Sequence, residues 1–217
     1  MVKSKIKKFF IDLVDILAFL VFIMWLFFFI KIFVVALVVV KWHSMLPNYN
    51  EWNIILVDKI YRKQTWWVKR WDVVVVMPPL SDVSFLKRVV WLPWETIEIK
   101  NDSTYLCKTK EEWLNYTSED VISTWSYNDN SLLCKKLKEP YINWKTVNLH
   151  WKDEKIITEA KCGIDKFILG TWQYLVFWDD RMYSTDSRCC FKSSCLKWDQ
   201  YYITKDEILW RVWNLHF

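Results

Sequence analysis

The sequence is short of glycine, the residue on which most tight turns of a β-rich domain depend. It contains 2 glycines in 217 residues, whereas an average usage of about 7% would give roughly 15. It contains instead an unusual 17 tryptophans. Either these tryptophans form an aromatic binding surface, or tryptophan is written where the source organism inserts glycine. Composition by itself leaves both interpretations open.

Metal-binding patterns are also scarce. The sequence has no CxxC pair, and its three histidines, His43, His150 and His216, are scattered along the chain. A zinc site is therefore the weaker interpretation of the cysteines, which we expect to be structural or free thiols. They lie at Cys107, Cys134, Cys162, Cys189, Cys190 and Cys195, and the sequence does not choose among their pairings. The net charge is +5, and the basic residues do not cluster into a stripe, so we expect no nucleic acid partner. We also expect no metal and no cofactor.

A long apolar segment near the start predicts a membrane anchor rather than a buried core helix. Four lysines at positions 3, 5, 7 and 8 precede it, and a helix over residues 12–34 would exceed the ~20 residues that cross a bilayer core. The small-x-small exit of a cleaved signal peptide is missing. Because basic residues stay on the cytoplasmic side, we expect residues 1–11 inside the cell and residues 41–217 outside, in a single-pass plasma membrane protein.

Beyond the anchor, the hydrophobic pattern becomes that of β-strands. Short β-branched runs alternate with polar or proline-bearing turns, as in NIILVDKI (53–60), WDVVVVM (71–77) and FLKRVV (85–90). This pattern predicts a mainly β fold, an antiparallel β-barrel-like core formed by residues 35–100 and 166–217. Residues 101–165 are polar and carry weaker strands, so we expect a β-rich inserted subdomain there.

Four blocks occur in an order that is typical of one family. They are HSMLP (43–47), RWDVVVV (70–76), LKRVVWLPWE (86–95) and WDDRMYSTDSR (178–188). Together with NIILVDK they resemble the sequence blocks of bacterial type I signal peptidase, a membrane-anchored serine/lysine protease. Each block is a weak signal alone, whereas five in the same order are specific. The resemblance covers the anchor and the β core, and it fails in residues 101–165 and 189–200.

The tryptophans fall where that family has glycine. These positions are Trp42, Trp52, Trp71, Trp91, Trp94, Trp172, Trp178 and Trp210. Glycine reaches a positive φ without a Cβ clash, whereas a bulky aromatic residue there is strained. We therefore expect most tryptophans to be UGA codons that the source bacterium decodes as glycine. Trp25, Trp66, Trp67, Trp113 and Trp213 are not assigned either way.

The resemblance implies a Ser/Lys dyad. Ser44 matches the family's nucleophile and Lys87 its general base. Free lysine is protonated at neutral pH, so Lys87 can act as a base only if burial lowers its pKa. We expect its neighbour Arg88 to point to the opposite face of the strand and to stay solvated.

The resemblance also implies supporting residues on a later loop. Ser184 matches the serine that orients the lysine amine, Asp186 and Arg188 match an ion pair, and Asp179 matches the acid beside the loop glycine. Asp180 replaces the family's asparagine, and we expect its charge to raise the pKa of Lys87.

The remaining site residues would face the substrate. Trp42 stands where the family has a donor near the oxyanion hole, and Met45 is expected to form a wall of the substrate pocket. The implied substrates are signal peptides of exported preproteins, and the lipid bilayer and the protein export machinery are the other expected partners. Two alternatives stay open: a membrane-tethered Trp-rich binding module, and a LexA-like self-cleaving Ser/Lys protein, although the latter has neither an anchor nor the DxRxxSxDSR loop.

Overall fold

The computed structural model describes most of the chain. It covers residues 2–60, 68–78, 82–117, 119–142, 146–149, 152–155, 158–181, 186–189 and 202–213. Several residues discussed above lie outside the described residues, namely Ser184, Trp66, Trp67, Cys190, Cys195, His150 and His216.

One long apolar helix precedes the β structure. Helix α1 spans Val2–Phe33, and its segment Lys8–Phe33 is 26 residues long, with none of its most apolar stretch buried against the rest of the chain. At 1.5 Å per residue this segment spans about 39 Å, which exceeds the ~30 Å hydrocarbon core of a bilayer. The helix is therefore long and apolar enough to be the anchor that the sequence predicts.

Among the described residues, fourteen strands and one further short α-helix follow α1. In chain order the strands are β1 (Val35–Val39), β2 (Ile54–Asp58), β3 (Val73–Val76), β4 (Phe85–Trp91), β5 (Thr96–Lys100), β6 (Ser103–Lys108), β7 (Val121–Asp129), β8 (Leu132–Leu137), β9 (Thr146–Leu149), β10 (Lys152–Lys155), β11 (Lys166–Ile168), β12 (Gln173–Phe177), β13 (Ile203–Thr204) and β14 (Ile208–Val212). Helix α2 spans Lys110–Leu114 and begins with a capping box between Thr109 and Glu112. The mainly β fold class predicted from the sequence is confirmed.

The main sheet contains seven antiparallel strands in the order β1-β2-β14-β3-β4-β12-β13. Its centre is β3, whose four valines are all buried. A strand covered on both faces favours such a continuous run of β-branched residues over an alternating pattern. Strand β4 pairs with β3 on one side and with β12 on the other, so the KRVV block lies in the interior of the sheet.

A second sheet has the order β11-β5-β6-β8-β7, and β9 pairs with β10 in a separate hairpin. The five-stranded sheet joins strands of the predicted insertion to β5 and β11, which flank that insertion in sequence. A disulfide between Cys107 and Cys134 links directly paired positions of β6 and β8.

Four of the tryptophans at family glycine positions have a left-handed backbone. The φ angles are 70° at Trp52, 74° at Trp71, 68° at Trp94 and 58° at Trp172, and each residue lies in a turn. Glycine adopts this conformation at the least cost. The indoles of Trp52 and Trp94 are more than 70% exposed, so packing of the ring offsets little of the strain at these two turns.

Candidate active site

Ser44 lies in a short 3-10 helix, His43–Met45, that follows β1. The side chain of Met45 is fully buried in the core, which fixes the helix against the sheet. The backbone N–H of Asp180 donates to the Ser44 carbonyl oxygen at 3.0 Å. The serine is thus held between the end of β1 and the loop that begins at Trp178. The described parts of this loop, residues 178–181 and 186–189, are here named the active loop.

Lys87 lies inside the main sheet, opposite Val74 of β3. Its side chain is fully buried. Burial lowers the pKa of Lys87 well below its ordinary value; Asp186 opposes this effect, while Arg188 and Lys161 add to it. The structure thus places this lysine where a base role requires it, because a buried ammonium loses the hydration that stabilises its charge.

The Trp178 side chain connects the surroundings of Ser44 with those of Lys87. It lines a cavity of about 540 Å³ together with Ser44, Met45 and the exposed Trp42. The Lys87 Nζ atom lies 3.2 Å from the centroid of the Trp178 ring. One indole therefore borders the cavity and covers the lysine amine.

Arg88 does not stay solvated, and that prediction is wrong. The residue is 6% exposed, and its Nε and Nη2 atoms each donate to a carboxylate oxygen of Asp179 at 2.7 Å. Tyr141 covers the guanidinium, with its ring centroid 4.1 Å from the Arg88 Cζ atom. The alternation of side chains along β4 places Arg88 on the opposite face as expected, but residues distant in sequence cover that face too.

Asn48 completes this polar cluster. Its Nδ2 atom donates to Asp179 Oδ2 at 2.8 Å and to the Tyr141 carbonyl oxygen at 2.9 Å. The residue therefore links the turn after Ser44 to the loop that carries Asp179.

Asp186 and Arg188 form a second buried ion pair. Both side chains are fully buried, and Arg188 Nε donates to Asp186 Oδ1 at 2.9 Å. The Asp186 carboxylate also accepts a hydrogen bond from the Trp178 backbone N–H at 3.2 Å. Burial by itself would raise the pKa of Asp186, but Arg188, Lys87 and Arg181 together outweigh it and hold that pKa below its ordinary value. The pair is therefore charged at neutral pH.

Asp180 acts on Lys161 and favours the charged form of that lysine. Its effect on the pKa of Lys87 stays a prediction.

Sequence reasoning missed the role of Arg181, which is fully buried. Its Nη2 atom donates to Glu139 at 2.7 Å and also to the Tyr141 hydroxyl, and its Nε atom donates to the Trp178 carbonyl oxygen at 2.7 Å. These bonds tie the active loop to the segment after β8. The DDR motif contains the arginine, but its partners lie in the polar region where the resemblance fails, so no sequence signal marks them.

One group of potential metal ligands occurs among the residues that the structure describes, formed by Glu98, Cys107 and Cys134. The two cysteines are joined in a disulfide, so neither can supply the thiolate that a zinc site of this type needs.

Comparison with known proteins identifies relatives of the chain. Residues 13–209 match the family model described as signal peptidase, peptidase S26. The chain is 29% identical to signal peptidase I U of Bacillus subtilis (strain 168) over 145 residues, which are 67% of this chain and 60% of that protein. It is 31% identical to signal peptidase I P of Bacillus subtilis subsp. natto over 85 residues, 38% of this chain and 45% of that protein.

The matches span less than two thirds of the length of these relatives. A crystal structure of a signal peptidase I from Enterococcus faecalis V583 superposes with a TM-score of 0.34 at 19% identity, covering 65% of this chain and 92% of the other.

Proposed function

The chain belongs to the signal peptidase family, peptidase S26, and we propose that it is a membrane-anchored serine endopeptidase that cleaves signal peptides from exported preproteins. One observation carries the proposal. The lysine of the KRVV block is fully buried with a depressed pKa, and the side chain that covers its amine also lines the cavity of Ser44. A neutral lysine amine can accept the proton of a serine hydroxyl.

In the proposed mechanism, the Ser44 Oγ atom attacks the carbonyl carbon of the scissile bond while Lys87 Nζ takes the hydroxyl proton. The Ser44 backbone N–H stabilises the negative charge that develops on the carbonyl oxygen. Glycine at position 42 has no side-chain donor, so a backbone group or a water near that position supplies the second hydrogen bond. The Lys87 ammonium then protonates the leaving amine and becomes neutral again. The neutral Lys87 amine next activates a water, which hydrolyses the acyl-enzyme. Ser184 orients the Lys87 amine. The two buried ion pairs, Arg88–Asp179 and Arg188–Asp186, hold the loop that carries Ser184.

The position of Ser44 suits a substrate that emerges from a bilayer. Helix α1 ends at Phe33 and β1 begins at Val35, so the main sheet starts directly after the apolar segment. The lysines that precede the helix favour a cytoplasmic N-terminus and a catalytic domain on the outer face. A signal peptide keeps its apolar stretch in the membrane and presents an extended segment just outside it.

We also propose that most of the tryptophans at family glycine positions are glycine in the native protein. The left-handed backbone at four of them supports this, because strain of roughly 1–3 kcal/mol at each is large against a net stability of about 5–15 kcal/mol. The Trp178 ring supports it further, since it covers the Lys87 amine at 3.2 Å and lines the same cavity as Ser44, where glycine would leave that space open.

Trp113 is the counterexample, and we propose that it is a genuine tryptophan. Its side chain is buried, its Nε1 atom donates to the Leu133 carbonyl oxygen at 2.6 Å, and Lys135 Nζ lies 4.2 Å from its ring centroid. A buried indole that also satisfies its N–H is typical of a native tryptophan.

The test uses the full chain with glycine at the eight family positions, reconstituted in proteoliposomes with a preprotein substrate. We expect cleavage at the signal peptide junction, which Ser44→Ala and Lys87→Ala each abolish. Lys110→Ala is the matched control, because Lys110 is an exposed lysine of α2 and its loss should leave cleavage unchanged. Undiminished cleavage in the Ser44→Ala and Lys87→Ala proteins would refute the dyad.

A further inference from the structure

The turn after β8, residues 139–142 and here named the tyrosine turn, lies between the second sheet and the active loop. Within it, the Ile142 backbone N–H donates to the Glu139 carbonyl oxygen at 3.1 Å. The Glu139 carboxylate accepts hydrogen bonds from the Thr104 hydroxyl of β6 at 3.0 Å and from the Tyr141 hydroxyl at 2.7 Å. All three of these residues are buried, so the second sheet fixes the position of Tyr141.

The Tyr141 hydroxyl also binds the active loop at Arg181. It accepts a hydrogen bond from Arg181 Nη2, and the same nitrogen donates to Glu139 Oε1 at 2.7 Å. Burial raises the pKa of Tyr141 well above its ordinary value. The phenol therefore keeps its proton, which it donates to Glu139 while its oxygen accepts from Arg181. The three side chains form a closed, buried triad.

Two further contacts connect Tyr141 to neighbours of the proposed dyad. Its ring centroid lies 4.1 Å from the Arg88 Cζ atom, and Arg88 directly follows Lys87 on β4. Its carbonyl oxygen accepts a hydrogen bond from Asn48 Nδ2 at 2.9 Å, and Asn48 lies in the turn after Ser44. Tyr141 therefore contacts the strand of the base, the turn of the nucleophile and the active loop.

The two ends of the active loop have separate anchors. A disulfide joins Cys189, at one end, to Cys162. At the other end, the Asp180 backbone N–H donates to the Ser44 carbonyl oxygen at 3.0 Å, and the next residue along the chain is the arginine that binds the Tyr141 hydroxyl. Loss of this hydroxyl should therefore weaken the contact with Ser44 and leave the disulfide end in place.

From these contacts we infer that Tyr141 is a positioning residue for the proposed peptidase reaction, which holds the Ser44 turn, the strand of Lys87 and the active loop in one arrangement. The inference rests on the proposed function for its meaning, whereas its structural test requires no activity. Tyr141 lies within residues 101–165, where the resemblance to the family fails, and it is not among the described residues that line the cavity of Ser44. It therefore acts on the dyad through its neighbours.

The ring and the hydroxyl of Tyr141 have separable effects. The ring covers the guanidinium of Arg88, which is 6% exposed and joins β4 to the active loop through its ion pair with Asp179. A cation–π contact is most favourable where the cation is desolvated. Without the ring, water would reach this ion pair and weaken it, because charges attract less strongly in a medium of higher dielectric constant. The hydroxyl acts instead on Arg181.

The first measurement follows the contact between Ser44 and the active loop. In the glycine-restored full chain carrying Ser44→Ala, hydrogen exchange of the Asp180 backbone N–H reports the opening of this contact without requiring activity. We expect Tyr141→Phe to raise this exchange rate about tenfold, because a hydrogen bond to a charged group contributes at least that factor to an equilibrium. Tyr141→Leu should raise it further, whereas the N–H of Val74, in the core strand β3, should keep the parent rate.

The matched control is Tyr105, a buried tyrosine of β6 whose ring packs against Tyr127 with 5.0 Å between the centroids. Tyr105→Phe should leave the exchange of Asp180 unchanged. An unchanged Asp180 rate in the Tyr141→Phe protein would overturn the inference. An equal rise at Asp180 and Val74 would overturn it too, because that result indicates only a loss of global stability.

Kinetics on the chain with Ser44 intact supply the second measurement. For Tyr141→Leu we expect kcat to fall about 10- to 100-fold with KM within about twofold, because a displacement of about 1 Å between reacting groups costs this much. Tyr141→Phe should recover most of this loss, since its ring still covers Arg88. An equal fall in kcat for Tyr105→Leu, or a rise in KM at constant kcat for Tyr141→Leu, would overturn the inference. Faster Asp180 exchange in a protein that cleaves no preprotein would reject the proposed function and leave the structural link intact.

Discussion

Position 178 offers the sharpest test of the proposed site, because the side chain there covers the Lys87 amine and lines the cavity that contains Ser44. The perturbation compares two proteins that carry glycine at every other family position, one with Trp178 and one with Trp178→Gly. In the tryptophan form the Lys87 Nζ atom lies 3.2 Å from the ring centroid. A hydroxyl that approached from the other face of the ring would contact the ring at about 3.5 Å, and it would then lie about 6 to 7 Å from the Lys87 amine.

That separation is too large for proton transfer, which needs a heavy-atom distance of about 2.6–3.2 Å or one bridging water. The ring acts in a second way, because a desolvated cation–π contact of about 2 kcal/mol stabilises the ammonium form of Lys87. Loss of general base catalysis typically costs a factor of about 10² to 10⁴. We therefore expect the Trp178→Gly protein to cleave a fluorogenic signal peptide substrate at least about 100-fold faster at pH 8.

The matched control compares tryptophan with glycine at position 94 in a protein that carries glycine at the seven other family positions. The Trp94 ring is 71% exposed at a left-handed turn, so glycine there should raise stability and leave kcat/KM within about twofold. Equal activity of the Trp178 and glycine proteins would refute the reasoning, since the indole would then not stand between the base and its nucleophile.

Further predictions address recoding, packing and charge. Trp94→Gly should raise the free energy of unfolding by roughly 1–3 kcal/mol as the strain at φ 68° is relieved, whereas Trp113→Ala should lower it by about 3–5 kcal/mol; urea titration measures both. The coding DNA should carry UGA at position 94 and UGG at position 113, and UGG at both would contradict the recoding. Arg88→Ala should cost about 3–5 kcal/mol of stability by leaving a buried charge unpaired, and Asp179→Asn combined with it should recover part of that loss. The lowered pKa of Lys87 means that the unfolded chain binds one more proton between the folded pKa and the unfolded value of about 10.4. Stability should therefore rise with pH across that window, and Lys87→Met should remove the rise while abolishing cleavage.

The site shows where inference from sequence succeeds and where it stops. Lys87 could be predicted to be buried, because a short β-branched run around it indicates an interior strand. Arg88 could not, since alternation gives the side of the sheet but not what covers that side. The cover is Tyr141, which is more than fifty positions away in a region without a recognisable pattern.

The sequence by itself determined the features that depend on short stretches of chain: the apolar helix, the β-strands, the blocks that carry Ser44 and Lys87, and the turns at which a left-handed backbone favours glycine. These follow from local periodicity, from motif order and from the steric limits of a single residue's φ. Only the tertiary structure decided which charges face Lys87, that Cys162 pairs with Cys189, and that Lys161 lies beside the active loop. These features depend on contacts between residues far apart in the chain. Such contacts exist only after the two larger sheets and the segment at residues 158–162 have packed together.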